Sequence, residues 1–149
     1  FGPLAQSVEQ FAFNELVLRS VADGPPTFMN IFLICLGGSL GALSRFYLSS
    51  LFQKSENFEI PLGILVVNIS GCFLLGLFYH LMDSSLERYL TPFLFIGFLG
   101  AFTTFSAFSK ESLELLYQGN FLMAFLYVIL SVSSCLVATW LGMNLTKIS

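Results

Sequence analysis

The sequence predicts an all-α membrane protein with four transmembrane helices, the third of them broken, that assembles as an antiparallel dual-topology dimer. Its 149 residues are 56% hydrophobic and only 10% charged, whereas a soluble domain is about one quarter charged. The mean hydropathy is +0.83. The net charge of −3 includes no large acidic or basic tract, so we expect membrane lipid as the surroundings and no nucleic-acid partner.

Four apolar stretches have the length of about 20 residues that a bilayer crossing requires. The connections between them are short and carry charges and helix breakers, which favours an antiparallel bundle. The predicted spans are residues 31–52, 60–82, 89–117 and 121–145.

The first 28 residues differ in character from the rest. They lack the long apolar core and small-residue cleavage site of a signal peptide. We therefore expect residues 1–28 to be an N-terminal extension of unknown role, and residues 29–149 to form the four-helix transmembrane domain, beginning at Met29.

The basic residues are balanced between the two sides of the membrane. Positive charge normally accumulates in cytoplasmic loops and sets the orientation, but here three basic residues fall on each side. Such a chain can insert both ways up and form an antiparallel dimer about a two-fold axis in the membrane plane; a single orientation set by a weaker bias is the alternative. One side carries Arg19, Arg88 and Lys147, and the other carries Arg45, Lys54 and Lys110.

In the first span, Gly37, Gly41 and Arg45 recur every four residues and share one helix face. Small residues at this spacing allow two helices to approach closely. Arg45 has two interpretations: its side chain reaches back to the membrane surface, or it lines a water-filled vestibule that attracts anions.

In the second span, Asn68 is surrounded by aliphatic residues. A side-chain amide at that depth needs a hydrogen-bonding partner. Asn68 could bind a neighbouring helix, or it could donate an N–H to a dehydrating anion without adding a fixed charge.

The third span contains the segment GFLGAFTTFSAFS at residues 97–109, where glycines, hydroxyls and phenyl rings alternate. Gly100 and Ala101 would allow the helix to break and expose carbonyl groups. Phe105 and Phe108 lie three residues apart and face one direction. A phenyl ring has an electropositive edge, which can contact an anion weakly. Packing or lipid contact is the alternative for such rings.

In the fourth span, Tyr127, Ser131 and Cys135 recur every four residues and share one helix face. This face could form a narrow polar track, and helix packing alone is the alternative. The three cysteines lack metal-ligand spacing and are expected to be small buried residues. His80 has no evident nucleophile or acid partner, so we expect no enzymatic activity.

Three motifs in order make the chain resemble the Fluc (CrcB) family of fluoride ion channels from Met29 onward: GGSLGALSRF from Gly37, GILVVNISG from Gly63, and the segment at residues 97–109. The resemblance implies passive fluoride efflux from the cytoplasm, protection against fluoride toxicity, and a multi-pass protein of the plasma (inner) membrane. It also implies an antiparallel homodimer with two pores and a structural Na⁺ ion at its centre.

The resemblance assigns a role to each candidate site residue. It implies that Asn68, Phe105, Phe108, Tyr127 and Ser131 line the fluoride pore and that Arg45 belongs to the vestibule. It further implies that the backbone carbonyls of Gly100 and Thr103 bind sodium. The chain departs from the family at four positions, which makes its hydroxyl path thinner: Ile64, Ala101, Ala107 and Cys135.

Two other functions are compatible with a small four-span chain. A dual-topology multidrug exporter relies on a carboxylate in the first span, and residues 31–52 contain no Asp or Glu. A non-transporting membrane assembly protein would leave the placement of Asn68, Thr103 and Thr104 unexplained.

Overall fold

The computed structural model describes residues 28–52, 61–79 and 87–147, and every regular element within these ranges is helical. The expectations for residues 1–27, His80 and the charged connections at 53–60 and 80–86 lie outside the described residues. The elements are α1 (Phe28–Phe52), α2 (Leu62–Phe78), α3 (Glu87–Leu90), a π-helical segment (Thr91–Leu99), α4 (Gly100–Phe102), α5 (Phe105–Tyr117) and α6 (Phe121–Lys147).

The helices have the lengths and composition of a membrane protein. Phe28–Phe52, the stretch Glu87–Tyr117 and Phe121–Thr146 are each long and apolar enough to cross a bilayer. Helix α2 is shorter, with 17 residues, which is at the lower limit for a crossing. The predicted all-helical membrane class is therefore confirmed, and four helical stretches occupy the positions of the four predicted spans.

Helix α1 packs against the π-helical segment through glycines on both partners. A Cβ atom added to Gly37 or Gly41 would collide with the carbonyl groups of Phe93 or Phe98. In return, a Cβ added to Gly97 would lie 2.8 Å from the Ile34 carbonyl oxygen. The close-packing face that the four-residue spacing predicted in the first span is thus confirmed, since only glycine leaves room for the facing backbone.

Helices α2 and α6 form the second close pair. A Cβ on Gly76 would meet the Thr139 carbonyl oxygen, and one on Gly142 would lie 2.7 Å from the Leu77 backbone nitrogen. Gly76 faces residues 139–143 and Gly142 faces residues 73–77. The two backbones therefore touch near the ends of both helices.

A tight turn joins α5 to α6. Gly119 has a φ angle of +80°, which glycine adopts without strain. Its N–H donates to the Leu116 carbonyl, and the Asn120 N–H donates to the Leu115 carbonyl, both at 3.0 Å. This pair of hydrogen bonds is the Schellman motif that commonly ends a helix. The breakers Gln118, Gly119 and Asn120 thus turn the chain back after one short connection.

The stretch from Glu87 to Tyr117 departs from α-helical geometry twice. Pro92 stands near the start of the π-helical segment, directly after α3, and its ring nitrogen has no N–H to donate to the preceding helical turn. Helix α4 ends at Phe102, and α5 begins at Phe105. Between them, Thr103 has φ and ψ angles of −78° and 149°, and Thr104 has −149° and 115°. Both threonines are therefore extended rather than helical.

We predict that Gly37→Ala destabilises the folded protein by about 1–3 kcal/mol, because overpacking forces the facing backbone apart. The adjacent Gly38 is a matched control, since a Cβ there would have only the Gly97 carbonyl oxygen nearby, at 3.9 Å. Thermal unfolding in detergent, followed by Trp140 fluorescence, checks both variants. Equal melting temperatures for Gly37→Ala and Gly38→Ala would contradict the packing described for α1.

Candidate functional site

The Asn68 side chain holds the extended segment between α4 and α5. Its Nδ2 donates to the Thr104 carbonyl oxygen at 3.2 Å, and its Oδ1 accepts from the Thr104 N–H at 2.9 Å. The side-chain amide of Asn68 thus satisfies both the N–H and the C=O of Thr104, as a neighbouring strand would do in a β-sheet. Of the two interpretations of Asn68, the structure therefore places it as a link between α2 and the third span, with one Nδ2 hydrogen left over for another acceptor.

The pairing of Asn68 with the Thr104 backbone also determines which backbone carbonyl loses its helical hydrogen bond. In a continuous α-helix the Thr104 N–H would donate to the Gly100 carbonyl, four residues earlier. Here that N–H is donated to Asn68 instead. The expected break at Gly100 and Ala101 is corrected, because both residues are helical and the extended backbone lies at Thr103 and Thr104. The Gly100 carbonyl nevertheless loses its helical donor.

Thr104 is the residue with the most local hydrogen bonds at this site, a role that the sequence alone did not single out. Its hydroxyl caps α5 by accepting from the Ala107 N–H at 3.3 Å, and it lies 3.1 Å from the Ser106 hydroxyl. Threonine is a favoured helix N-cap because its oxygen can satisfy such a free donor. The capping side chain and the Asn68 amide together fix the start of α5.

Three aromatic rings form a continuous row beside this cap. The ring centroids of Phe105 and Phe108 are 5.5 Å apart, and those of Phe108 and Tyr127 are 5.4 Å apart, with tilted planes. Phe108 and Tyr127 are buried, whereas Phe105 is 78% exposed in the single chain. The structure thus brings together Phe105, Phe108 and Tyr127, which the sequence placed in two different spans.

Glu111 is the site residue that sequence reasoning missed. Its Oε2 accepts a 2.6 Å hydrogen bond from the Tyr127 hydroxyl. The sequence did contain a signal for it, because Glu111 is a carboxylate inside an apolar span, one helical turn after Phe108. An ionisable residue in such a position is by default a candidate for function. Glu111 also lines a cavity of about 330 Å³ between the end of α1, the start of α2 and α5. Tyr127 therefore connects the aromatic row to a partly polar cavity.

Ser131 lies one turn beyond Tyr127 on the same face of α6. It is buried, and its hydroxyl oxygen has no hydrogen-bonding partner among the described residues. A buried unsatisfied hydroxyl carries a free-energy cost, so this site suits a ligand or water that accepts or donates a hydrogen bond. The face of α6 that carries Tyr127 thus contains one hydroxyl without a partner among the described residues.

Arg45 is half-buried on α1 and has no ion-pair partner within the described residues. Ser49, one turn later on the same face, lines the cavity that contains Glu111. The remaining charges near the cavity, Lys110 and Glu114, pair with each other at 3.0 Å and are well exposed.

The departures from the family pattern have distinct surroundings. Ile64 lines the cavity and packs on the core cluster that contains Tyr127. Ala107 contributes its backbone N–H to the α5 cap. The side chain of Cys135 interacts with that of Cys72 on α2. Among the described residues, no group of three or more His, Cys, Asp or Glu side chains could hold a metal ion.

Comparison with known proteins identifies the family. Residues 32–143 match the family model described as CrcB-like protein, Camphor Resistance (CrcB). Several relatives carry the name Fluoride-specific ion channel FluC. The one from Flavobacterium psychrophilum is 42% identical over 119 residues, covering 78% of this chain and 96% of the relative. That from Campylobacter lari is 45% identical over 118 residues, covering 78% and 97%. That from Pseudoalteromonas translucida is 44% identical over 115 residues, covering 76% and 96%.

We predict that Asn68→Ala destabilises the protein by about 1–3 kcal/mol, because the partly buried Thr104 N–H and carbonyl lose their partner. Ser70→Ala is the matched control in the same helix, since its hydroxyl bonds only to the Val66 and Val67 carbonyls of its own helix. We expect that change to stay within about 0.5 kcal/mol. Reversible unfolding in mixed detergent micelles measures both. An Asn68→Ala variant as stable as Ser70→Ala would show that the pairing does not hold the segment.

Proposed function

The chain belongs to the CrcB-like family, and from this membership we propose that it is a fluoride-selective ion channel. It allows passive fluoride efflux from the cytoplasm and so protects the cell against fluoride toxicity. The observation that carries the proposal is the row of Phe105, Phe108 and Tyr127 that leads to the unpartnered hydroxyl of Ser131. The relatives are named as ion channels, which supports transport rather than enzymatic chemistry.

A fluoride ion is small and strongly hydrated, so a narrow path must replace its water with several weak contacts. The electropositive edges of Phe105 and Phe108 provide such contacts without a fixed positive charge that would hold the ion. The Ser131 hydroxyl and the remaining Asn68 N–H act as neutral donors along the same path. A larger halide is excluded because the buried Phe108 and Tyr127 leave little space.

Efflux follows from the chemistry of the ion. Hydrogen fluoride is a weak acid that crosses membranes in acidic surroundings and dissociates in a near-neutral cytoplasm, which traps the anion. A passive channel then lets the membrane potential drive fluoride out. The cavity beside Glu111 and Ser49 is the wider, wetter end of the route, and Arg45, one turn from Ser49, attracts anions toward it.

The assembly proposed for this channel is an antiparallel homodimer in the plasma (inner) membrane. In the single chain the Phe105 ring is 78% exposed, although it belongs to the aromatic row. A second copy inserted in the opposite orientation would cover it and complete the path. The balanced distribution of basic residues permits both orientations. In this assembly, the extended backbone at Thr103 and Thr104 is the break in the third transmembrane helix of the channel.

A sodium ion at the centre of the dimer fits the backbone at this interruption. The Gly100 carbonyl has lost the Thr104 N–H as its helical donor, and Thr103 is extended, so its own carbonyl points away from the helix ladder of α4. Neutral carbonyl oxygens are suitable ligands for a hard monovalent cation. Two carbonyls from each copy, those of Gly100 and Thr103, would hold the ion and tie the two subunits together.

The competing functions receive less support. Helix α1 contains no Asp or Glu, whereas proton-coupled multidrug export needs a carboxylate there. A non-transporting assembly protein would not require a partly buried Asn68 amide, a capped interruption and an unpartnered Ser131 hydroxyl on neighbouring helices.

We predict that the protein, reconstituted in liposomes, releases fluoride rapidly and retains chloride, and that the double variant Phe105→Ile, Phe108→Ile releases neither. Isoleucine keeps the apolar character but removes the ring edges. Phe125→Ile is the control, because its ring is largely exposed on α6 and belongs to no described ring pair. A fluoride electrode measures efflux. Flux in the double variant equal to that of the parent would remove the rings from the mechanism.

We predict that the C-terminus lies on both sides of the membrane in a population of inserted chains. Reporters that are active only in the cytoplasm or only outside it, fused after Ser149, measure the two orientations. Adding two lysines after Ser149 should shift the population toward a cytoplasmic C-terminus. Activity from only one reporter in the unmodified chain would refute dual topology.

A further inference from the structure

Two thiols lie at the α2–α6 interface, one helical turn from the close backbone contact between Gly76 and Thr139. Cys72 on α2 and Cys135 on α6 are both half-buried and form no disulfide. Their side chains interact. The third cysteine of the chain, Cys35, is exposed on α1, so the expectation that all three cysteines are buried is wrong for this residue.

The positions of neighbouring glycines fix this juxtaposition independently. Gly76 lies directly against the Thr139 carbonyl, with no room for a Cβ atom. Cys72 precedes Gly76 by four residues, and Cys135 precedes Thr139 by four residues. In two α-helices that run side by side in the same direction, stepping back one turn on each leads to the same height and the same face. The two thiols therefore meet one turn away from a backbone contact.

The pair also lies next to the proposed ion path. Cys135 follows Ser131 by four residues on the same face of α6. Ser131 is buried, and its hydroxyl has no partner among the described residues. The dithiol thus stands one helical turn beyond the last polar group of the aromatic and hydroxyl row.

We propose that Cys72 and Cys135 form a two-thiolate binding site for a soft, linearly coordinated metal ion of the Cu⁺, Ag⁺ and Hg²⁺ class, and that a metal bound there blocks the anion path. Soft sulfur ligands select soft metals. Two ligands suffice for linear coordination, whereas zinc requires four, and no third Cys, His, Asp or Glu joins this pair among the described residues.

The binding step involves no oxidation or reduction. Each thiol releases its proton to water, and each sulfur donates an electron pair to the metal, so one Hg²⁺ yields a neutral S–Hg–S bridge and two protons. The bridge joins α2 to α6 and fills space beside Ser131. The block of fluoride flux rests on the proposed channel function, but the metal site itself does not.

Mercuric chloride is the probe, and the ultraviolet absorbance of the mercury–thiolate bond in purified full-length protein reports binding. An excess of a small monothiol competes for the metal. We expect one Hg²⁺ per chain to stay bound in a Cys35→Ser variant. Cys72→Ser or Cys135→Ser in that background should weaken binding about 100-fold, because the second thiolate acts at high effective concentration. Binding within threefold of the parent in either single variant would overturn the site.

Fluoride efflux from liposomes gives the second readout. We expect Hg²⁺ to stop efflux in the Cys35→Ser variant, dithiothreitol to restore it, and both single variants to resist the metal. If Cys72 and Cys135 bind Hg²⁺ tightly and fluoride efflux is undiminished, the proposal that the bound metal blocks the anion path is wrong. Absence of fluoride efflux before metal is added would refute the channel function, and the absorbance measurement would still decide the metal site.

Discussion

The two hydrogen bonds between the Asn68 amide and the Thr104 backbone, at 3.2 and 2.9 Å, anchor the rest of the site. They replace the helical bond that Thr104 would make to Gly100, so they stabilise an interruption that would otherwise leave backbone groups unsatisfied in an apolar environment. Once the interruption is fixed, the Thr104 hydroxyl caps α5. The direction of α5 then places Phe108 against Tyr127 and Glu111 beside the Tyr127 hydroxyl.

Close helix contacts give this anchor a rigid support. Glycines allow α1 to touch the π-helical segment and α2 to touch α6, and these contacts depend on dispersion and exclusion of lipid rather than on a hydrophobic driving force. Gly71, one turn after Asn68, faces the Thr103 side chain, where a Cβ would collide. The same face of α2 therefore holds the extended segment by hydrogen bonds and by shape. The half-buried pair of Cys72 and Cys135 lies on this supporting interface rather than in the aromatic row itself.

Much of the site was predictable because its parts are local. The three-residue spacing predicted that Phe105 and Phe108 share a face, and their rings are neighbours. The four-residue spacing predicted the track of Tyr127 and Ser131. The breakers between α5 and α6 predicted the turn, and the glycine pattern of α1 predicted close packing. By contrast, the break expected at Gly100 and Ala101 falls at Thr103 and Thr104, because the residue that positions it is 36 residues away.

The sequence by itself determined the membrane class, the positions of the helices, the glycine contact face of α1 and the family, since composition, periodicity and ordered motifs are properties of neighbouring residues. Only the tertiary structure decided where the third span departs from helical geometry and which backbone carbonyl loses its helical hydrogen bond. It decided that Glu111 on α5 accepts a hydrogen bond from Tyr127 on α6. It also decided that Phe105 is exposed while Phe108 is buried. These features depend on hydrogen bonds and packing between separate helices, and no local pattern records which groups will meet.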